Sequence, residues 1–209
     1  NWNGFDANYS FVGFDNFAKI ASDRLFLQAT INTAIWMAAA IVLPTGLGLL
    51  LALLLDAKVL GARVFKSIFY LPICLSAVIV GQIWTWIYQP DWGLLNTVIT
   101  QVSGEKFKYA WLAKPDTALW SVIVAWSWQQ TGLSMVIYLA GLTAIPGDLL
   151  EVCEIEGATP WQRFCRVVLP LLAPSTVVVI ALSVINSLKG FDILYIMTGG
   201  GPFNSSDTL

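Results

Sequence analysis

The chain has 209 residues, of which 57% are hydrophobic and 11% are charged, and its formal net charge is −2. Its mean hydropathy is +0.71. Soluble domains carry about 25% charged residues, so this balance excludes an ordinary soluble domain and indicates a membrane protein. The low net charge and the lack of a basic stripe give no support for nucleic-acid binding. The chain has no histidine and no paired cysteine spacing, which argues against a zinc site.

Four long segments contain no Asp, Glu, Lys or Arg. They are residues 25–55, 67–90, 117–147 and 167–188. Each exceeds the roughly 20 residues that a helix needs to cross about 30 Å of hydrocarbon. We therefore expect an all-α integral membrane protein with at least four transmembrane helices. A buried helical core in a soluble protein would require polar faces on these segments.

The loops between these segments orient the predicted helices. Basic residues are concentrated in residues 56–66 and 148–166, whereas residues 91–116 mix both signs. Because cytoplasmic loops carry an excess of Lys and Arg, we expect the first two loops to lie inside and the third outside. Alternation then places residues 1–30 and the tail 189–209 on the extracytoplasmic side.

Residues 151–174, with the sequence EVCEIEGATPWQRFCRVVLPLLAP, form a polar segment beside charge-free segments. Capping chemistry predicts two short helices here. Asp148 and Glu151 fit the start of the first, Gly157 fits its left-handed end, and Thr159-Pro160-Trp161-Gln162 fits the start of the second. An apolar stripe at i, i+3, i+4 and i+7 makes the second helix amphipathic. The stripe consists of Trp161, Phe164, Cys165 and Val168. An ordinary intracellular loop is the alternative.

This segment resembles the EAA loop of permease subunits in binding-protein-dependent ATP-binding cassette importers. That loop begins with Glu-Ala-Ala, has a Gly six residues after the Glu, and ends in an aliphatic residue, any residue and Leu-Pro. The matching residues are Glu151, Gly157, Val167, Leu169 and Pro170, and Glu156-Gly157-Ala158 stands where the family has Asp-Gly-Ala. Val152 and Cys153 replace the two alanines. The resemblance assigns coupling to an ATPase subunit to Glu151, Glu156, Gly157, Ala158, Phe164, Leu169 and Pro170.

The resemblance covers most of the chain. Residues 11–17 (FVGFDNF) and 198–202 (TGGGP) are typical of the maltose-type sugar permeases within that group. It implies a transmembrane permease domain over residues 31–188 that includes the EAA loop at 148–170. The family's first helix would precede this sequence and its last would follow Leu209, so we expect the chain to be truncated at both ends.

The three consecutive glycines before Pro202 do not form a nucleotide site, since the chain lacks the Gly-x-x-x-x-Gly-Lys-Ser/Thr pattern. We read them as an extracellular turn. The resemblance implies that this subunit does no covalent chemistry, binds no cofactor, and leaves ATP and Mg to a partner ATPase dimer. It also implies a second homologous permease subunit, an extracytoplasmic solute-binding protein, a sugar or oligosaccharide substrate, and a multi-pass location in a prokaryotic inner membrane.

The third charge-free segment carries a polar face. Trp126, Gln129, Gln130 and Leu133 fall at i, i+3, i+4 and i+7, which puts an indole and two amides on one side of the helix. Amides bond sugar hydroxyls, and an aromatic ring covers the apolar side of a pyranose. Hydrogen bonding between helices is the alternative. In the family that the chain resembles, the helix before the EAA loop lines the substrate cavity, which favours the pocket.

The fourth segment repeats the same spacing. Ser183, Asn186, Ser187 and Gly190 fall at i, i+3, i+4 and i+7 and predict a second wall of the pocket. Helix association through small residues is the equal alternative.

Three other functions are alternatives to this interpretation. The same importer class could carry a glycerol-phosphate-type or other small polar solute, although the charge-free segments argue against an anionic ligand. A self-contained secondary transporter or channel would need buried ionisable residues or broken helices along a path. An intramembrane enzyme would need a histidine, a zinc motif or paired carboxylates in a span.

Overall fold

The computed structural model describes residues 13–56, 61–202, 206 and 208. All regular secondary structure in these residues is helical, which confirms the predicted class. The helices are α1 (Asp15–Ser22), α2 (Arg24–Asp56), α3 (Ala62–Tyr70), α4 (Ala77–Ile87), α5 (Leu94–Ser103), α6 (Pro115–Thr143), α7 (Gly147–Ile155), α8 (Pro160–Arg163), α9 (Leu169–Leu171), α10 (Ala173–Leu188) and α11 (Phe191–Thr198). A 3₁₀ turn covers Leu71–Cys74 and a π-helical turn covers Phe164–Val168. Phe11 and Val12 of the FVGFDNF segment, and Lys58 of the first basic loop, lie outside the described residues.

Among the described helices, α2 alone is by itself long and apolar enough to cross a membrane. Three further helix pairs meet the same test only when each bent pair is taken together, with bends of 107°, 71° and 64°. The prediction of four spanning helices therefore holds only if each bent pair counts as one span. The pattern of apolar and charged residues in the sequence indicates where the apolar segments lie. It does not indicate where the backbone bends inside them.

The second apolar segment, predicted as one helix, is broken. Its two parts, Ala62–Cys74 and Ala77–Ile87, meet at 107°. Leu75 and Ser76 are extended at the break, with ψ of 145° and 153°. The Ser76 side chain accepts a hydrogen bond from the Ile79 amide at 3.4 Å, so Ser76 caps α4. The helix therefore does not continue through Ser76, and a new helix begins after its cap.

The centre of the fold is the contact between α2 and α6. At Gly48 of α2 an added Cβ would lie 2.5 Å from the Cβ of Ser134, so only glycine permits this approach. One buried cluster joins α2, α4, α6 and α11 and includes Trp36, Val80, Ile123, Trp126 and Ile193. A second joins α2, α6, the π turn and α10 and includes Ala52, Met135, Tyr138, Val168 and Val179.

The region predicted as a turn and tail, residues 189–209, contains a helix. This helix, α11, packs on α4, where Gly81 leaves room for the side chains of Ile196 and Met197. The predicted glycine turn follows α11 directly, and Gly199 and Gly200 have φ of +57° and +81°. The eight residues of α11 are too few to span a bilayer, so hydropathy alone does not distinguish them from a tail.

Candidate functional site: the helical hairpin and the polar helix face

The hairpin α7–α8 follows α6 and precedes α10. Gly157 lies between its two helices with φ of +73°. The Ala158 amide donates to the Cys153 carbonyl at 3.0 Å, and the Gly157 amide donates to the Glu154 carbonyl at 3.1 Å. These bonds satisfy carbonyls at the end of α7 and require a left-handed residue. The predicted role of Gly157 as the helix terminator is confirmed.

The two helix starts differ in how well they were predicted. The capping box of α8 is confirmed: the Thr159 amide donates to Gln162 Oε1 at 2.9 Å, and the Gln162 amide donates to Thr159 Oγ1 at 3.3 Å. The assignment of Asp148 as the cap of α7 is wrong. Pro146 occupies the N-cap position, and no side chain caps this helix. Asp148 lies in the first turn of α7, where its negative charge interacts favourably with the helix dipole.

The second arm of the hairpin is not one regular helix. After the four residues of α8, the π turn Phe164–Val168 begins, and the Leu169 amide donates to the Phe164 carbonyl five residues back. Pro170 has no amide hydrogen to continue the α-helical pattern. The segment Pro160–Leu171 then meets α10 at 64°. The predicted stripe is graded in burial, from Trp161, 71% exposed, to Val168, buried.

Four large apolar side chains of the hairpin are exposed. We call them the hairpin surface: Leu149, Val152, Ile155 and Trp161. Ile155 is 84% exposed and Trp161 is 71% exposed. Patches of exposed apolar side chains commonly mark contacts with a protein or a membrane. The hairpin surface is therefore a candidate site for a protein partner.

The predicted coupling residues are spread over the hairpin and its connection to α10. Those exposed are Glu151, Glu156, Gly157, Leu169 and Pro170, and those half-buried are Ala158 and Phe164. An ion pair between Arg163 Nη1 and Glu154 Oε1, 2.6 Å apart, connects α8 to α7. The pair is partly exposed, so its contribution to stability is small, about 0–1 kcal/mol. The role of these residues in coupling stays a prediction.

On the polar face of α6, the indole and the first amide are buried in contacts with other helices. Trp126, 4% exposed, packs on Trp36 with ring centroids 5.4 Å apart. Gln129, 6% exposed, donates from Nε2 to the Leu75 carbonyl at 2.9 Å. Leu75 lies at the break before α4, where its carbonyl has left the helical pattern. The Gln129 amide therefore fixes the broken segment against α6.

The second amide joins the two predicted walls. Gln130 Oε1 accepts a hydrogen bond from Asn186 Nδ2 at 3.3 Å, which links α6 to α10. Both side chains are half-buried, as is Leu133. The structure thus brings together residues that the sequence placed on separate segments. An amide pair in this position can bond either to each other or to hydroxyl groups of a ligand.

Two other residues of the second predicted wall, Ser187 and Gly190, contact Trp36 of α2. Ser183 and Ser187 are buried, and Ser187 Oγ donates to the Val184 carbonyl at 2.8 Å. The Ser187 carbonyl accepts from Trp36 Nε1 at 3.1 Å. Gly190 lies so close to Trp36 that an added Cβ would be 2.7 Å from Cζ2. This part of the stripe supports close helix approach, the alternative weighed from the sequence, and substrate binding by these residues stays a prediction.

Two residues important to this geometry were missed from the sequence. Trp36 contacts Trp126, Ser187 and Gly190, although it appeared only as part of the first apolar segment. Gly132 lies three residues after Gln129, and an added Cβ there would be 2.2 Å from a backbone oxygen of α3. The i, i+3 spacing of an amide and a glycine on one helix face is a signal that could have found this contact.

Comparison with known proteins agrees with the resemblance. Residues 45–208 match the model of the family described as binding-protein-dependent transport system inner membrane component. The chain is 35% identical to the "Probable starch degradation products transport system permease protein AmyD" of Thermoanaerobacterium thermosulfurigenes, covering 100% of this chain and 70% of that protein. It is 34% identical to the trehalose/maltose transport system permease protein MalF of Thermococcus litoralis, covering 95% and 67%.

A solved structure has the same fold. It is the bacterial alginate ABC transporter in complex with an alginate pentasaccharide-bound periplasmic protein, and the matching chain has a TM-score of 0.82 at 25% identity. The match covers 94% of this chain and 69% of that chain. The family match and the relatives identify a multi-pass membrane permease of the ABC importer class. The chain belongs to the family of inner membrane components of binding-protein-dependent transport systems.

Proposed function

We propose that this subunit forms part of the translocation path for a sugar or oligosaccharide. The observation that carries the proposal is the uncharged amide pair of Gln130 and Asn186, which lies between α6 and α10. Such groups can exchange their mutual hydrogen bond for bonds to neutral hydroxyls. The relatives named for starch degradation products and for trehalose and maltose support the same substrate class. A glycerol-phosphate-type solute would need a positive charge that these two side chains do not supply.

The assembly that we propose contains three kinds of partner. A second, homologous permease completes the path, an extracytoplasmic solute-binding protein delivers the substrate, and an ATPase dimer docks on the hairpin surface. The alginate transporter, whose structure includes a periplasmic protein carrying an oligosaccharide, supports the second element. ATP and Mg belong to the ATPase, and this subunit binds no cofactor and catalyses no reaction. Residues 56–66 and 148–166 face the cytosol.

The hairpin can act as a coupling joint because it lies between α6 and α10 in the chain and is joined to α10 through the π turn and α9. Near the hairpin these two helices are in close contact. Tyr138 Oη donates to Thr176 Oγ1 at 3.3 Å, and a Cβ added at Gly141 would lie 2.3 Å from Ser175 Oγ. We therefore expect a displacement of the hairpin to be transmitted to both helices and to the amide pair between them. The ATPase would bias the path between two states through contacts that differ between them.

The test is uptake by the full-length permease and the subunits that purify with it, reconstituted in vesicles. We expect an ATPase subunit to copurify, and we expect ATP-dependent uptake of a neutral sugar from a panel supplied with the cognate binding protein. Uptake of a glycerol phosphate in preference to every neutral sugar would refute the substrate class. Transport without any ATPase subunit would support a self-contained transporter instead.

A further inference from the structure

A cavity lies away from the polar face, between the hairpin and the ends of α2 and α6. Its volume is about 240 Å³. Seven of its nine lining residues are apolar, and the other two are an acid and a base. Its lining residues include Leu53, Asp56, Leu142, Leu150, Arg163 and Phe164. Neither the predicted substrate residues nor the hairpin surface contributes to this lining.

The two charged residues of the cavity have unused bonding capacity. Asp56 is exposed and forms no ion pair or hydrogen bond with other residues in the described part of the chain. Arg163 binds Glu154 through Nη1. A guanidinium has five N–H donors, so most of those of Arg163 remain available. The cavity thus offers one acceptor group and one donor group beside apolar side chains.

The position of the cavity fits the boundary between hydrocarbon and water. Asp56 is the last residue of α2 and the first charge after an uncharged segment that begins at residue 25. The hairpin is polar and continues into α10 through a charge-free segment. Lipid headgroups lie at this depth, and basic residues there attract their phosphates.

We propose that the cavity binds the headgroup end of a phospholipid that carries a primary ammonium. Arg163 contacts the phosphate, Asp56 accepts hydrogen bonds from the ammonium, and the apolar lining covers the first part of the acyl chains. An anionic headgroup would place negative charge against Asp56. A quaternary choline group has no N–H to donate to a carboxylate. A sugar would leave hydroxyls facing Leu53 and Leu150 without partners.

The bound lipid would join the end of α2 to the hairpin. Asp56 belongs to α2, whereas Arg163 belongs to α8, and the two helices have no ion pair between them among the described residues. A phosphate and an ammonium on one molecule would connect them. This role is separate from substrate transport, so lipid binding can be measured without an uptake assay.

The experiment measures lipid retention by the assembled transporter. The complex is incubated with vesicles of equal amounts of phosphatidylethanolamine, phosphatidylcholine and phosphatidylglycerol, then solubilised and purified, and the retained lipids are quantified by mass spectrometry. We expect preferential retention of phosphatidylethanolamine. Asp56→Asn should lower its retention about tenfold, because it removes a charge-assisted hydrogen bond.

Two further variants test whether lipid retention depends on the cavity. Asp148→Asn makes the same chemical change at an exposed hairpin acid that does not line the cavity, and retention should not change. Leu150→Trp fills the cavity, and retention should fall. Equal retention of the three lipids, or normal phosphatidylethanolamine retention in Asp56→Asn, would overturn the proposal. So would equal losses in Asp56→Asn and Asp148→Asn, because the effect would then not belong to the cavity.

Discussion

The substitution Gly157→Val tests whether the hairpin geometry matters for coupling. Gly157 has φ of +73°, and a Cβ added there would meet no atom within 4 Å. The Cβ itself therefore meets no steric obstacle, and the main cost lies in the backbone conformation. A left-handed conformation costs a residue with a side chain about 1–2 kcal/mol. Since 1.4 kcal/mol is a factor of ten, the native turn would become about tenfold less favourable.

The assay is substrate-stimulated ATP hydrolysis and sugar uptake by the assembled transporter. We expect both to fall together in Gly157→Val, while the permease still inserts and the binding protein still holds its ligand. Gly147→Val is the matched control, since a Cβ there also meets no atom within 4 Å and its φ is not positive. Gly157→Asn should restore activity in part, because Asn tolerates the left-handed region. Full ATPase and uptake activity in Gly157→Val would refute this reasoning.

Three further predictions concern the polar face, the packing and the topology. Gln129→Leu should lower uptake while leaving assembly with the ATPase intact. It should also lower the free energy of unfolding by about 0.5–1.5 kcal/mol, because the hydrogen bond to the Leu75 carbonyl is lost. Unchanged uptake kinetics would show that Gln129 serves only in helix association. Gly132→Ala should lower the thermal midpoint because of its contact with a backbone oxygen, whereas Gly46→Ala in open space should not, and equal effects would contradict the packing. Cys153 should not be labelled by an impermeant thiol reagent added outside sealed cells. Labelling without permeabilisation would show that the hairpin faces outside and not the cytosol.

The parts of the structure that local chemistry determines were predictable from the sequence. Gly157 ends α7 and the Thr159–Gln162 capping box begins α8 because each depends on bonds within a few residues. The α7 start was not predicted, since Pro146 took the N-cap position that Asp148 could also have filled. More than one residue near a helix end can take the N-cap position, and the sequence alone does not show which one does.

The features that depend on distant contacts were not predictable in this way. The break at Leu75 is held by Gln129, which lies 54 residues away in the chain. Helical spacing placed Gln129 and Gln130 on one face, but it did not show that Gln129 bonds the break at Leu75 whereas Gln130 bonds α10. Where α11 packs on α4, the side chain of Ile196 lies 3.1 Å from the position of a Cβ added at Gly81. These contacts join separate helices, so periodicity within one segment carries no information about them.

The most direct test of the coupling role is a photocrosslink from Ile155 on the hairpin surface. A photoreactive amino acid replaces Ile155, which is 84% exposed, and the matched control replaces Val102 of α5, which is also 84% exposed. We predict that the first probe captures the ATPase subunit and that the second does not. A crosslink to the ATPase from Val102, or none from Ile155 in an active transporter, would contradict the assignment of the hairpin as the coupling joint.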